Sequence, residues 1–599
     1  MTVKNFIEDI ESFAEQRADT LAMMEENADG SWTELRWRDV WPKVRSTASA
    51  LLSAGTANQQ TIAICSPNRP EWTIADIALQ LVNAVLVPLH AVGNEKDTAY
   101  ILEHSRPSLV FAGGQSEYDM LLRINPSSVS TVVVFDRGTV LSDRIFSLYY
   151  DDFISAAETP SLAALLDERK RNRKPDDLFT IVYTSGTTGK PKGVMLTHAN
   201  FDAQLEAFEG PTAQQKLVTG NVSVSFLPLS HIYERQWNRI VLYYGFANAY
   251  LGKPGKIIDA AAQLRPKTFC AVPRIFEKIH GAIEQKIASS GFLMASLVRH
   301  ALACGLKYQL ARKNGTRVSF LFTIRYHIMN SLVLGRLRGV LGGNVRYTPC
   351  GGAPLSAEIQ QFFCALGITI RAGYGLTETC GGISSQDPDD YSFGSTGKPV
   401  KGVSVRISDE GELLLKGGSV MKGYYKDDEA TREAFTPDGY FRTGDIGRIE
   451  DNGEIRITDR IKDLMKTSGG KYIAPQPIES LFTDDIYIEK VALIADRKQF
   501  VTALVEPNRH ALIEYARKHG IGFESYESLL SRKEIKDFFR NRISARTADL
   551  ARHEKIKAFA LMPEPFSIEK GELTPSLKLK RKVIAERYHE LIDSLYASA

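Results

Sequence analysis

The chain has few cysteines, six in 599 residues, and Cys65, Cys270, Cys304, Cys350, Cys364 and Cys380 lie far apart. Without close pairing they make neither a disulfide framework nor a structural zinc site, and they fit a reducing, cytoplasmic setting. Long apolar runs are also missing. The most apolar stretch, WTIADIALQLVNAVLVPLH, is broken by Asp76, Gln80 and Asn83, short of the roughly 18 clean residues that a membrane span needs. The opening MTVKNFIEDIESFAEQRADT mixes acids with its apolar residues, which predicts an amphipathic helix and neither a signal nor a transit peptide. Net charge is low as well: 74 basic residues against 71 acidic leave +3, so no overall field argues for nucleic acid as a partner. One local imbalance stands out. Residues 285–357 contain no Asp or Glu, yet carry Lys286, Arg299, Lys307, Arg312, Lys313, Arg317, Arg325, Arg336, Arg338 and Arg346 among apolar residues. Such a stretch reads either as a solvated basic face on core helices or as a surface drawn to phosphates, including those of anionic lipid on the inner membrane face.

At this length and 43% hydrophobic composition the chain can bury more than one core. Helix-period segments alternate with short β-branched runs, TIAIC at 61–65, AVLVPL at 84–89, SLVFAGG at 108–114 and TVVVFD at 131–136. That alternation predicts an α/β body of parallel sheets covered by helices. From about Gly397 the texture changes to short alternating strands with glycine turns, a small antiparallel module. After Arg460 the chain reads as a separate, small α+β unit with a strand-like segment at 491–507 and a lysine-rich tail. The expected division is therefore 1–460 and 461–599.

The most specific segment is IVYTSGTTGKPKGVMLTHAN, residues 181–200, an apolar strand that runs into hydroxyls, glycines and lysines. Glycines let backbone N–H groups approach phosphate oxygens; Thr184, Ser185, Thr187 and Thr188 offer hydroxyl donors, and Lys190 and Lys192 supply charge. The Walker loop is excluded, because only two residues separate Gly186 from Gly189 and Pro191 follows Lys190.

This string resembles the signature loop of the adenylate-forming superfamily, which includes acyl-CoA synthetases, luciferases and peptide-synthetase adenylation domains. Further segments up to residue 582 resemble the family's motifs in order. SFLPLSHIYER at 225–235 resembles the segment that lines the acyl pocket, with His231 near the reacting carboxylate. CGGAPL at 350–355 and AGYGLTET at 372–379 resemble the adenine site: Gly352, Ala353 and Pro354 would flank the base, Tyr374 would stack on it, and Gly375 and Thr377 would complete the nucleotide contact. The resemblance implies that Glu378, with Thr184, holds Mg2+ on the phosphates of ATP, an arrangement usual for a hard cation. Asp445 resembles the acceptor for the ribose hydroxyls, and Arg460 the arginine that reaches ribose and phosphates. In SGGKYIAP, Gly469 and Lys471 would line the passage of coenzyme A, the glycine because a Cβ would obstruct the pantetheine arm. Lys462 occupies the family's hinge position, where many relatives carry Asp. GELTPSLKLKRK at 571–582 resembles the tail motif of the long-chain enzymes, and Lys578 aligns with its catalytic lysine.

The resemblance to bacterial-type long-chain fatty acyl-CoA synthetases implies AMP-forming ligation of a fatty acid to coenzyme A through an acyl-adenylate, with a mobile terminal domain serving two half-reactions. Two other readings stay open on the sequence: an acyl-AMP ligase that delivers to a carrier protein, with residues 285–346 restraining the lid, and a catalytically silent lipid-binding scaffold. Intact Glu378, Asp445, Arg460 and Lys578 weigh against the scaffold.

Overall fold

A computed structural model describes residues 6–597 apart from 92, 156–158, 185–189, 209–220, 388–389, 484 and 575–577. The four β-branched runs read from the sequence are all strands of one eight-stranded sheet. Thr61–Cys65 and Val85–Leu89 pair in parallel at its centre, followed on one side by Leu109–Ala112 and Thr131–Val134, also parallel. On the other side Leu178–Thr184 joins in parallel and then turns back as an antiparallel hairpin with Lys192–Thr197. The central strands are buried on both faces, which is why they are continuous apolar runs rather than alternating ones. The interrupted segment at 72–90 resolves into the helix Pro70–Leu81 and the strand Val85–Leu89. Among the described residues no helix is long and apolar enough to cross a membrane.

Phe6–Gln16 forms the amphipathic opening helix, with Phe6, Ile7, Ile10 and Ala14 turned into the core. All six cysteines are buried and unpaired. Residues 403–460 form the small antiparallel module, four strands in which Phe441–Ile449 pairs with Ile455–Arg460. Beyond it lies a separate apolar core built around Leu493, Val501, Val505, Leu529 and Phe539. The segment at 491–507 is two strands and not one: Ile488–Ile494 and Val501–Pro507 form a hairpin, reversed where Arg497 takes a positive φ of 57°.

The acid-free stretch becomes two long helices, Phe292–Lys313 and Phe320–Met329, that pack on the main body. Gly305 marks a close approach of the longer helix: a Cβ there would stand 2.2 Å from the Ala365 carbonyl oxygen.

Candidate active site

The carboxyl ends of parallel strands are where an open α/β sheet presents a ligand crevice, and several of the candidate residues lie at that edge. Val85–Leu89 ends at His90, Leu178–Thr184 ends at Thr184, and the Ile232–Tyr243 helix begins at His231. That helix is fastened from below by a buried ion pair. Arg235 donates through Nε to Asp76 at 2.9 Å and through another nitrogen to the Thr180 hydroxyl at 2.9 Å.

His231 caps the helix, and its Nδ1 accepts from the Tyr233 N–H at 3.3 Å. An accepting Nδ1 places the ring proton on Nε2. Burial, then His90 and Lys578 nearby, pull its pKa down to about 4, so the ring is neutral at pH 7 and offers an N–H donor. His90, which sequence reasoning passed over, lies beside it with Nδ1 2.8 Å from the Ser230 hydroxyl; burial takes it to about 4 as well. Its position at the end of a central parallel strand is the signal that could have found it.

Asp445 is almost fully buried and engaged on both oxygens. Tyr374 donates its hydroxyl to Oδ2 at 2.5 Å, and Arg460 Nε meets Oδ1 at 2.8 Å across paired strands in which Asp445 faces Arg460 directly. A carboxylate has about four lone-pair sites, so two remain for outside donors.

Glu378 lies in the Thr377–Thr379 turn, where Gln204 donates to the Thr379 carbonyl at 3.2 Å and Gln236 to the following Cys380 carbonyl at 3.1 Å. Thr377 closes the same turn by accepting from the Cys380 N–H at 3.0 Å. Burial raises the Glu378 pKa, opposed by a hydrogen bond from Tyr424, whose hydroxyl is 3.1 Å from Oε1. Tyr424 is a second residue the sequence did not reveal. Lys192 lies over its ring at 5.1 Å, while Lys190 lies over Tyr100 at 5.2 Å. Among the described residues no group of three or more His, Cys, Asp or Glu could cage a metal. A lone, partly buried carboxylate such as Glu378, beside Lys192 over Tyr424, has the chemistry to share a hard cation with a ligand's oxygens and not to cage one by itself.

Lys578 comes from the terminal unit and reaches the same place. It stays solvent-accessible, yet enough protein surrounds it that burial, reinforced by the Arg460 charge, brings its pKa down to about 8 against the pull of Asp445 and Asp463. Its charge is also felt at His231.

The remaining candidates are placed as follows. Ser185, Gly186, Thr187, Thr188 and Gly189 lie outside the described residues; Thr184 pairs with Lys192 at the base of that loop. Gly352, Ala353 and Pro354 form an exposed loop after the Tyr347–Cys350 strand, anchored by Gly351 N–H donating to Ala271 at 3.2 Å. Gly375 has a packing reason of its own, since a Cβ would stand 2.0 Å from the Gly381 carbonyl oxygen. Lys462 sits in the short 3-10 turn Ile461–Asp463 that directly follows the last strand of the β module. Gly469 and Lys471 occupy an exposed hairpin of the terminal unit, where a Cβ on Gly469 would meet nothing within 4 Å. They are not brought to His231 in this arrangement; Lys578 is.

Comparison with known proteins places this geometry in context. A family model described as AMP-binding enzyme matches residues 10–425. A long-chain fatty acid–CoA ligase of Mycobacterium bovis is 31% identical, the alignment covering 95% of this chain and 93% of that one. A peroxisomal long chain acyl-CoA synthetase of Arabidopsis thaliana is 30% identical over 99% of this chain and 86% of its own length. A long-chain fatty acid–CoA ligase of Cavia porcellus is 31% identical, with 95% and 83% covered. Among solved structures, the adenylation domain of a carboxylate reductase from Mycobacterium chelonae superposes with a TM-score of 0.74 at 22% identity, covering all of this chain and 92% of that one. At that identity the likeness speaks for the fold alone.

Proposed function

The chain belongs to the AMP-binding enzyme family, and from that premise we propose that it ligates a long-chain fatty acid to coenzyme A with ATP, through an acyl-adenylate. The observation that carries the residue-level reading is that Lys578, from the terminal unit, lies within electrostatic reach of His231 and of the Asp445–Arg460 ion pair of the main body.

In the first half-reaction Tyr374 and the 352–354 loop flank the adenine, and the two free lone-pair sites of Asp445 accept the ribose hydroxyls. His231 donates from Nε2 to the fatty carboxylate and orients it; as a neutral ring it holds the oxygen by that hydrogen bond and keeps its own proton. The carboxylate oxygen bonds to the α-phosphorus, the bond to pyrophosphate breaks, and Lys578 and Arg460 balance the negative charge that builds there. Lys192, on the strand end that pairs with Thr184, and Lys190 just before it would face the departing phosphates. Mg2+, held by Glu378 with Thr184 as the second candidate ligand, would screen the charge of the ATP phosphates when bound. The terminal unit, residues 461–599, then turns about Lys462, withdraws Lys578 and brings Gly469 and Lys471 to the passage for coenzyme A. The thiol sulfur attacks the adenylate carbonyl, loses its proton, and AMP leaves with the C–O bond electrons. Incubation with acid, ATP, Mg2+ and either free coenzyme A or an acyl carrier protein tests the acceptor. A thioester on coenzyme A is expected; acylation of the carrier alone would overturn this reading.

The pH dependence of adenylation has a defined sign. Lys578 is cationic below its pKa of about 8 and neutral above it. Adenylation is therefore expected to be nearly full at pH 7 and to decline as pH rises through about 8. In Lys578→Arg, whose guanidinium stays charged, that decline is expected to disappear; an identical decline in both proteins would assign it to another group.

The protein also has a surface suited to peripheral contact with an anionic membrane, which we place on the inner face. Phe292, Leu293, Phe320 and Leu321 are each at least 77% exposed. Exposed Arg299, Lys307 and Arg325 lie on the same two helices, with no acid in residues 285–357. Binding to anionic vesicles is expected at low salt and should weaken toward about 1 M, where the Debye length falls to ~3 Å. Binding unchanged at that salt concentration would rule out the electrostatic anchor.

A further inference from the structure

Arg274 spans the junction between the main body and the terminal unit. It is the second residue of the Pro273–Ala288 helix, and its guanidinium donates to the Thr483 carbonyl at 3.2 Å, the Glu489 carbonyl at 2.9 Å and the Glu489 carboxylate at 2.7 Å. Lys278, one turn further along, stands 3.6 Å from the same carboxylate. Two of the three acceptors are backbone carbonyls. The contact therefore registers where the terminal backbone sits, and it suits a rigid, planar fork of donors better than a flexible ammonium.

On its other side Arg274 is tied to the nucleotide edge. The Ala271 N–H donates to Pro349 at 3.0 Å, the Gly351 N–H to Ala271 at 3.2 Å, and the Ile275 N–H to Val272 at 3.1 Å. Val272 packs against the 350–354 loop, its Cγ1 3.7 Å from where a Cβ on Gly352 would stand. Four consecutive residues, 271–274, thus connect the loop proposed to flank adenine with the unit that bears Lys578.

We propose that Arg274 is a positioning residue, a latch that holds the terminal unit in the orientation presenting Lys578 and that must open before thioester formation. The proposal rests on the two-orientation reading of residues 461–599. Occupancy of the 352–354 loop by a nucleotide would steady the 271–274 segment and so favour the latched orientation; once pyrophosphate has left, the charge that Lys578 answers falls to that of the adenylate phosphate, and the latch still opposes rotation.

The test is single-turnover kinetics of both half-reactions, adenylation from acid and ATP and thioester formation from supplied acyl-adenylate. Arg274→Gln is expected to slow adenylation roughly tenfold, the scale of losing charged hydrogen bonds at a partly exposed site, and to leave thioester formation unchanged or faster. Glu489→Gln keeps both backbone acceptors and should lose less, while the double variant should lose no more than Arg274→Gln alone. Arg274→Lys should recover only part of the loss. Equal slowing of both half-reactions by Arg274→Gln would reduce the residue to a structural role, and no slowing of either would remove the latch altogether. Lys578→Ala run alongside separates the two ideas. If it divides the half-reactions and Arg274→Gln does not, rotation stands and the latch falls; if Lys578→Ala divides neither, the rotation reading fails and takes the latch with it. Should Arg274→Gln not fold, Glu489→Gln carries the same comparison.

Discussion

Replacing Lys578 by alanine is expected to lower the adenylation rate by roughly 10²–10³, the usual consequence of removing one preorganised donor aimed at transition-state charge. The lysine is the terminal unit's contribution to a site otherwise built by the main body, and both His231 and Arg460 lie within its electrostatic reach. Thioester formation from supplied acyl-adenylate should be almost normal, because in that half-reaction the ammonium is withdrawn from the carbonyl under attack. Stability should change little: Lys578 is solvent-accessible and its ammonium sits below its usual basicity, so no buried bond is lost with it. Single-turnover measurement on one preparation decides the matter. Equal loss in both half-reactions would mean that Lys578 serves a static site and that residues 461–599 do not exchange roles.

Glu378→Gln is expected to reduce adenylation by about 10² at ordinary Mg2+ and to regain part of that at high Mg2+, since a neutral amide keeps the shape but loses the charge that attracts a hard cation. The fold should tolerate the change. The Tyr424 hydroxyl donates to Oε1 at 3.1 Å, and an amide oxygen can still accept that bond, though more weakly than a carboxylate. The backbone of the turn is held separately by Gln204 and Gln236. Titrating the rate against Mg2+ distinguishes the outcomes: a right-shifted curve is the expected result, whereas full activity at ordinary Mg2+ would show that the metal answers to another residue.

Much of this architecture was legible in the residues because local and global preferences agree. TIAIC and TVVVFD favour strand by their β-branched composition and are strands in the sheet, and the change of texture near Gly397 does mark the antiparallel module. Motif order singled out His231, Glu378, Asp445 and Lys578, and the fold sets Lys578 within electrostatic reach of His231 and Asp445, and Asp445 within reach of Glu378. What stayed hidden depended on contacts distant in sequence. His90 follows an apolar run and reads as a core histidine until Ser230 is set beside it. Tyr424 sits in a polar turn whose pairing with Met195 and Val194 of another strand cannot be read locally. In sequence, 491–507 reads as one strand-like segment because VALI and FVTALVEP are both β-prone; the fold divides them by the reversal at Arg497. Arg274 looks like an ordinary basic residue at a helix start until Thr483 and Glu489, more than two hundred positions away, supply its acceptors.

Acid-dependent exchange of labelled pyrophosphate into ATP, run across saturated acids of graded chain length without coenzyme A, tests the central claim most directly, because it reports reversal of the adenylation step alone. Exchange that rises with chain length into the long-chain range, followed by thioester release when coenzyme A is added, is the predicted result. Absence of exchange with every acid would contradict it and leave a protein that keeps the fold of an acyl-adenylating enzyme without the reaction.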